Sequence, residues 1–175
     1  MENQLSDSLA CEISLQTIQL LDQSVVKLKH CLAQLDEDEL WWRPQPELNS
    51  VGNLLLHMEG NLRQWSIVAL GSEEDRRQRD REFSATRRLL KSKVWEQVSI
   101  TVEEAKTVIS EVQPTRWLDR LVVQGFDVNV INAVIHTTTH FQGHTHQVIL
   151  LTRMIRGEGY SFQWNDDVDR SRLPM

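Results

Sequence analysis

Apolar residues recur at intervals of three and four along four stretches of the chain, the spacing that gathers side chains on one face of an α-helix. The first stretch runs from residue 5 to about 35, with Leu9, Ile13, Leu21, Val25, Leu28 and Leu32 among its apolar positions and no glycine or proline to interrupt it. The second follows Ser50, a residue type suited to accept a first-turn N–H, and carries Val51, Leu54, Leu55, Met58, Leu62 and Trp65 toward a stop at Gly71. The third spans Lys91 to Val112, with Val94, Val98, Val102, Ala105, Ile109 and Val112 on its stripe and Pro114 closing it. The fourth starts at a capping Asn129 and reaches Arg156, where Gly157-Glu-Gly159 ends regular structure.

The connections read differently. Asp36-Glu-Asp-Glu followed by Pro44 and Pro46 predicts a solvated turn, with one of Trp41 and Trp42 plugging an end of the core and the other packing on the loop or rimming a pocket. Ser72 to Lys93 interleaves basic and acidic residues, which predicts a solvated linker or a rim that attracts an anionic small molecule. Residues 115–128 are long for a bundle connection and leave room for a short extended piece. The whole predicts an all-α fold, a four-helix bundle, as one domain over residues 1–175. Tyr160, Phe162 and Trp164 are expected to pack back on it, and 166–175 to form a flexible polar tail.

Composition narrows the function. The 175 residues are 40% hydrophobic and 25% charged, enough for one well-formed core, and the net charge of -6 argues against general nucleic-acid binding. No apolar run approaches the eighteen or so residues of a membrane span, and Met1-Glu-Asn-Gln-Leu-Ser-Asp lacks a basic, then apolar, leader pattern. A cytoplasmic location is the expectation. Cys11 and Cys31, twenty residues apart on one helix, are about 30 Å from each other at 1.5 Å per residue and cannot pair there.

The candidate chemistry is histidine. Four of the six histidines lie between residues 136 and 146, and His136, His140 and His144 are spaced four apart. On a helix they form a ladder, and the apolar neighbours Val130, Ala133, Val148, Leu151 and Ile155 predict that it lies on the buried side. Buried imidazoles need partners for both ring nitrogens, which carbonyls, waters or a divalent metal can supply. A catalytic zinc-type site wants three protein ligands and one open position. His57 is the mid-helix histidine that another element can offer, which selects His57, His140 and His144. His136, one turn away, either supports the site by hydrogen bonding or stands in for His144. His146 points to another face, and His30 sits at a helix end. Glu59, two residues from His57, faces away and leaves no evident general base, while Gln142 and Gln147 can orient groups.

Three segments carry a resemblance: Leu40-Trp-Trp-Arg-Pro-Gln-Pro-Glu-Leu-Asn-Ser50 through Leu56-His57, Arg79-Asp-Arg-Glu-Phe83, and His140-Phe-Gln-Gly-His144-Thr-His-Gln147. In order and spacing, over nearly the whole chain, they resemble the DinB-like (YfiT-like) superfamily of metal-binding four-helix bundles, close to an uncharacterised branch of it. The resemblance implies a zinc or nickel ion on His57, His140 and His144. The family pattern often continues from the last ligand as H-x-G-Q; here His146 replaces the glycine and Gln147 stays. It further implies a metal-dependent enzyme, of the type that transfers groups to low-molecular-weight thiols. The alternatives are a metal-dependent hydrolase or a non-catalytic, stress-related bundle that binds metal or ligand. The expected partners are a small-molecule substrate or thiol, with neither nucleic acid nor membrane, and a homodimer is compatible with the spare apolar positions.

Overall fold

Nearly all of the periodic stretches become helix. The computed structural model describes residues 2–71, 73–85 and 89–162; Trp164 and the 166–175 segment lie outside them. Helix α1 is Glu2–Ala33, α2 Glu37–Leu40, α3 Val51–Leu62, α4 Arg79–Ser84, α5 Lys91–Ser110 and α6 Val130–Arg156. Between α5 and α6 lies an antiparallel hairpin of β1 (Arg120–Val123) and β2 (Phe126–Asn129), with Leu121 opposite Val128 and Val123 opposite Phe126. The chain is thus mostly helical, with the extended piece realised as this hairpin. Its turn, Gln124-Gly125, has φ of 53° and 82°, the two left-handed residues that a tight hairpin reversal requires.

The caps explain where helices begin. Ser50 accepts from Asn53 N, and Asn53 Oδ1 accepts from Ser50 N, a reciprocal box that satisfies two first-turn donors. Asn129 does the same for Asn132 N at the start of α6. The acidic run after α1 is not a plain solvated turn. Asp36 caps Asp38 N and Glu39 N, Glu39 returns a bond to Asp36 N, and the run folds into α2. Its acidic first turn suits the positive end of a helix dipole.

Among the four long helices the main pairings are α1 with α6 and α5, and α3 with α5 and α6, which sets α1 and α3 on opposite sides of a ring. One cluster of buried apolar side chains fills the middle: Leu21 and Leu28 from α1, Leu55 and Met58 from α3, Val98 and Ile109 from α5, and Phe141 and Val148 from α6. Leu40 plugs the end beside α2 and is fully buried. Trp41, only partly buried, lies across Gly52 and donates its Nε1–H to Leu89 O at 3.1 Å, while Trp42 is exposed. Leu40 and Trp41 close this end of the core together: Trp41 packs against the central cluster, as expected of one of the two tryptophans, and Trp42 stays outside. No helix among the described residues is long and apolar enough to cross a membrane.

The close seating of Trp41 on Gly52 yields a stability prediction. A Cβ at Gly52 stands 2.6 Å from Trp41 Cζ3. Gly52→Ala forces the indole off α3, and the expected cost is about 1–3 kcal/mol, the range for overpacking. Urea unfolding of the variant beside Trp41→Leu/Gly52→Ala checks it: the loss is recovered in part when the indole is gone.

Candidate metal centre

Helix α3 reaches the site with a polar ladder set four residues apart: Asn53, His57 and Asn61, all buried. Repeats of four stack on one face, and this face looks toward α4 and α6. Asn61 Oδ1 accepts from Thr137 Oγ1 of α6 at 3.2 Å. Beyond Leu62 the helix widens into a π-helical turn, Arg63–Val68. The extra residue per turn is of the kind that accompanies functional sites. Here it turns Gln64 and Trp65 toward the neighbourhood of the histidines.

On α6 the histidine ladder is not on the buried stripe. That stripe consists of Val130, Ala133, Val134, Thr137, Thr138, Phe141, Thr145, Val148 and Thr152, with His140 and His144 half-buried beside it and His136 exposed. Thr138, Thr145 and Thr152 occupy core positions because each hydroxyl donates to the carbonyl four residues back, at 2.7–2.8 Å. Self-satisfied threonines fill the interior, and the imidazoles are left at its edge, where an open side remains.

The geometry brings together the three predicted ligands. His57, His140 and His144 each offer a ring nitrogen within 4.8 Å of the others. His57 Nε2 lies 3.1 Å from His140 Nε2, and His144 Nε2 lies 3.2 Å from it. Tetrahedral ligands at about 2.0–2.1 Å from an ion stand about 3.4 Å apart. His136 is not part of the cluster. Its ring stacks on Trp65, with centroids 4.0 Å apart, and lies 5.9 Å from that of His140. Its support is stacking rather than the hydrogen bond that the spacing suggested. His146 is exposed, as expected, and His30 tethers the segment after α6 through Ser161 O.

Outer partners fix the tautomers. His57 Nδ1 is 2.8 Å from Glu82 Oε2. Burial alone would raise the Glu82 pKa, but hydrogen bonds from Arg77 and His57 outweigh it and hold it below its usual value, so the carboxylate is ionised and only accepts. The proton therefore sits on His57 Nδ1, and Nε2 presents a lone pair. Arg77 Nη2 lies 3.2 Å from that Nδ1 and gives one of its two hydrogens to Glu82 Oε2 at 2.9 Å, the ionised and stronger acceptor. His144 Nδ1 donates to Gln147 Oε1 at 2.8 Å, so its Nε2 is a lone pair too. Gln147 thus orients a ring, as its position suggested.

His140 cannot satisfy both neighbours. A proton on its Nε2 serves one lone pair and leaves the other facing it, with Nδ1 buried and without a partner among the described residues. A proton on Nδ1 leaves three lone pairs converging. A cation between the three Nε2 atoms takes all three lone pairs and places the His140 proton on Nδ1. The donor set fits a divalent metal.

Glu82 is what the sequence reading missed. The charged linker is not merely solvated: Glu82 of α4 and Arg77 just before it are under cover, with side chains 9% and 7% exposed. Arg77 grips Glu82 with two bonds, Nε to Oε1 at 2.7 Å and Nη2 to Oε2, and extends Nη1 to Gln64 Oε1 at 2.8 Å. Gln64 also accepts from Gln124 at the hairpin turn and donates to Asp75. The pair lies flat on α3 at Gly60, where a Cβ would stand 2.4 Å from Glu82 Oε1. Phe83 covers one face of the His57 ring, centroids 4.8 Å apart. A cavity of about 600 Å³ opens on the other side of this pair, lined by Leu56, Gly60, Gln64, Arg77, Glu82 and Gln97 among others and by none of the three histidines. Glu59 faces away from His57, accepting from Thr101 and Arg63.

The electrostatics set a pH dependence. Burial, then the neighbouring His144, His57, His136 and Arg77 charges, pushes His140 from 6.5 to about 3. Burial lowers His144 as well, against the Gln147 bond that favours its charged form. Between about 6.5 and 3 the unfolded chain binds protons that the folded one refuses, so this stability is present above 6.5 and is lost as pH falls. Glu82 adds to the loss below 4.5. The Tm of metal-free protein is expected to drop steadily from pH 7 to pH 4, and His140→Asn to flatten the profile between 6.5 and 4.5. Calorimetry across that range measures it, and a profile unchanged by the substitution contradicts the assignment.

A family model described as Protein of unknown function (DUF1572) matches residues 13–164. The span contains the three histidines, Arg77, Glu82 and Gln147. No curated protein matches the chain.

Proposed function

Because the chain belongs to the DUF1572 family, whose description assigns no reaction, we propose its function from the site itself. It is a DinB-like four-helix bundle that binds one divalent metal ion, zinc or nickel, through Nε2 of His57, His140 and His144. With that ion it works as an enzyme of the low-molecular-weight-thiol S-transferase type. The observation that carries the reading is the convergence of three Nε2 atoms, two of them fixed as lone pairs by Glu82 and Gln147.

Three neutral ligands leave a bound ion its full charge, which makes it a Lewis acid able to hold a thiol as thiolate or to acidify water. The protein's part is orientation. Glu82 holds the His57 ring in one tautomer and raises its basicity as a ligand, and Gln147 does the same more weakly for His144. Phe83 covers one face of the His57 ring. The choice of a thiol over water rests on the lack of a free base at the site among the described residues. Glu82 is occupied by Arg77 and His57, and Glu59 by Thr101 and Arg63, so neither carboxylate is free to take a proton. A thiol, with a pKa near 8.5, needs less help to ionise than water does. A hydrolase, or a non-catalytic binder, is the outcome if thiols are not turned over.

The test is metal content and affinity of purified, reloaded protein. One divalent ion per chain is expected, with affinity falling at least about tenfold in His57→Ala, His140→Ala and His144→Ala and kept in His136→Ala. Wild-type protein that takes up no zinc or nickel sinks the reading. Conjugation of a model electrophile to small thiols by the loaded protein then separates transferase from hydrolase.

A further inference from the structure

Glu82 can orient His57 only while the backbone that carries it stays in place, and α4 has little means of holding itself. It is six residues long and has no side-chain cap at its N-terminus, and isolated helices of that length are unstable. Its last carbonyls have no partners within the helix. They are taken by residues from another part of the chain. Asn53 Nδ2 donates to Glu82 O and Ala85 O, each at 2.9 Å, and to Phe83 O at 3.3 Å. Arg43 Nη2 donates to Phe83 O at 2.9 Å and to Asn53 Oδ1 at 2.8 Å, and Arg43 Nη1 reaches Pro46 O at 3.2 Å.

Asn53 is fully buried and sits four residues before His57. The clamp and the ring it serves are therefore one turn apart on the same helix face, about 6 Å along the axis. The rigid body of α3 fixes the distance between where Glu82's backbone is gripped and where its carboxylate must arrive. A cap for α3 alone would not need the amide nitrogen, since the reciprocal bonds with Ser50 use only Asn53 N and Oδ1.

We propose that Asn53 and Arg43 are positioning residues of the metal centre, gripping the carbonyls of residues 82, 83 and 85 so that Glu82 is held on His57 Nδ1 and the ring's Nε2 faces the ion. The inference rests on the metal reading above for its consequence in affinity. The orientation of His57 is measurable without metal.

Asn53→Asp is the selective variant. It keeps the oxygen that Ser50 and Arg43 use, removes the N–H donors and turns a negative charge toward three carbonyls. Three measurements apply to the full chain: helical content by circular dichroism, the His57 tautomer by long-range proton–nitrogen spectra of metal-free protein, and zinc affinity by chelator competition. The expected result is retained helix, loss of the pure Nδ1–H tautomer, and affinity reduced about tenfold. Adding Glu82→Gln to Asn53→Asp should lower the affinity no further than Glu82→Gln alone. An unchanged tautomer and affinity overturn the proposal, as does a double variant whose loss is the product of the two single losses. Arg43→Met, which keeps the Ser50 and Asn53 side chains of the α3 cap and removes one donor to Asn53 Oδ1, carries the same expectations if the aspartate variant does not fold. If wild-type protein binds no zinc, the metal reading fails, and the tautomer in Asn53→Asp alone decides the clamp.

Discussion

The bond between His57 Nδ1 and Glu82 is the constraint on which the rest of the site depends. A carboxylate under cover, with no compensating donor, carries a desolvation cost of several kcal/mol. Glu82 is compensated three times over, by Arg77 through two N–H groups and by His57 through a third. Each of these bonds has an ionised acceptor, which makes it stronger than a bond between neutral groups. The arrangement also removes a choice. With the proton committed to Nδ1, His57 has one nitrogen left, and it faces His140.

That commitment propagates through the fold in both directions. Arg77 is itself seated by Gln64, which the π-helical turn brings into reach and which Gln124 of the hairpin also contacts. Gly60 allows the ion pair to lie directly on α3, where any side chain would hold it away. The segment 73–85 is thus a built layer over one side of the histidine pair between α3 and α6. Some of its charges, which look like a solvating run in the sequence, pair with one another, Arg77 with Glu82 and Arg76 with Glu74, and Glu73 pairs with Arg63 of the π-helical turn.

The placement of the histidines at the margin of the core follows from the threonines. A hydroxyl that bonds back to its own helix has no further demand on its surroundings, so Thr138, Thr145 and Thr152 can face the apolar interior at intervals of seven. Imidazole cannot do this, because its two nitrogens lie on opposite edges of a ring too large to fold back on the helix. The core therefore takes the threonines and phenylalanine, and the rings project into the seam between α3 and α6. A site at a seam keeps an approach for a small molecule, which a site in the middle of the core would lack.

What the sequence determined by itself was local. Apolar spacing, the capping Ser50 and Asn129, and the closing Gly71 and Pro114 depend on residues within one or two turns of each other, so the long helices were legible, and so was the i, i+4 pairing of His140 with His144. His57 was legible because few other mid-helix histidines exist to choose from. The tertiary structure decided the rest. Glu82 is 25 residues from His57 in a stretch whose composition gives no sign of burial, and nothing periodic marks a side chain covered by an ion pair. The position of His136 on Trp65 and the half-burial of His140 and His144 depend on how α6 is rotated against α3. That rotation is set by packing volumes summed over both helices, a quantity that no local pattern contains.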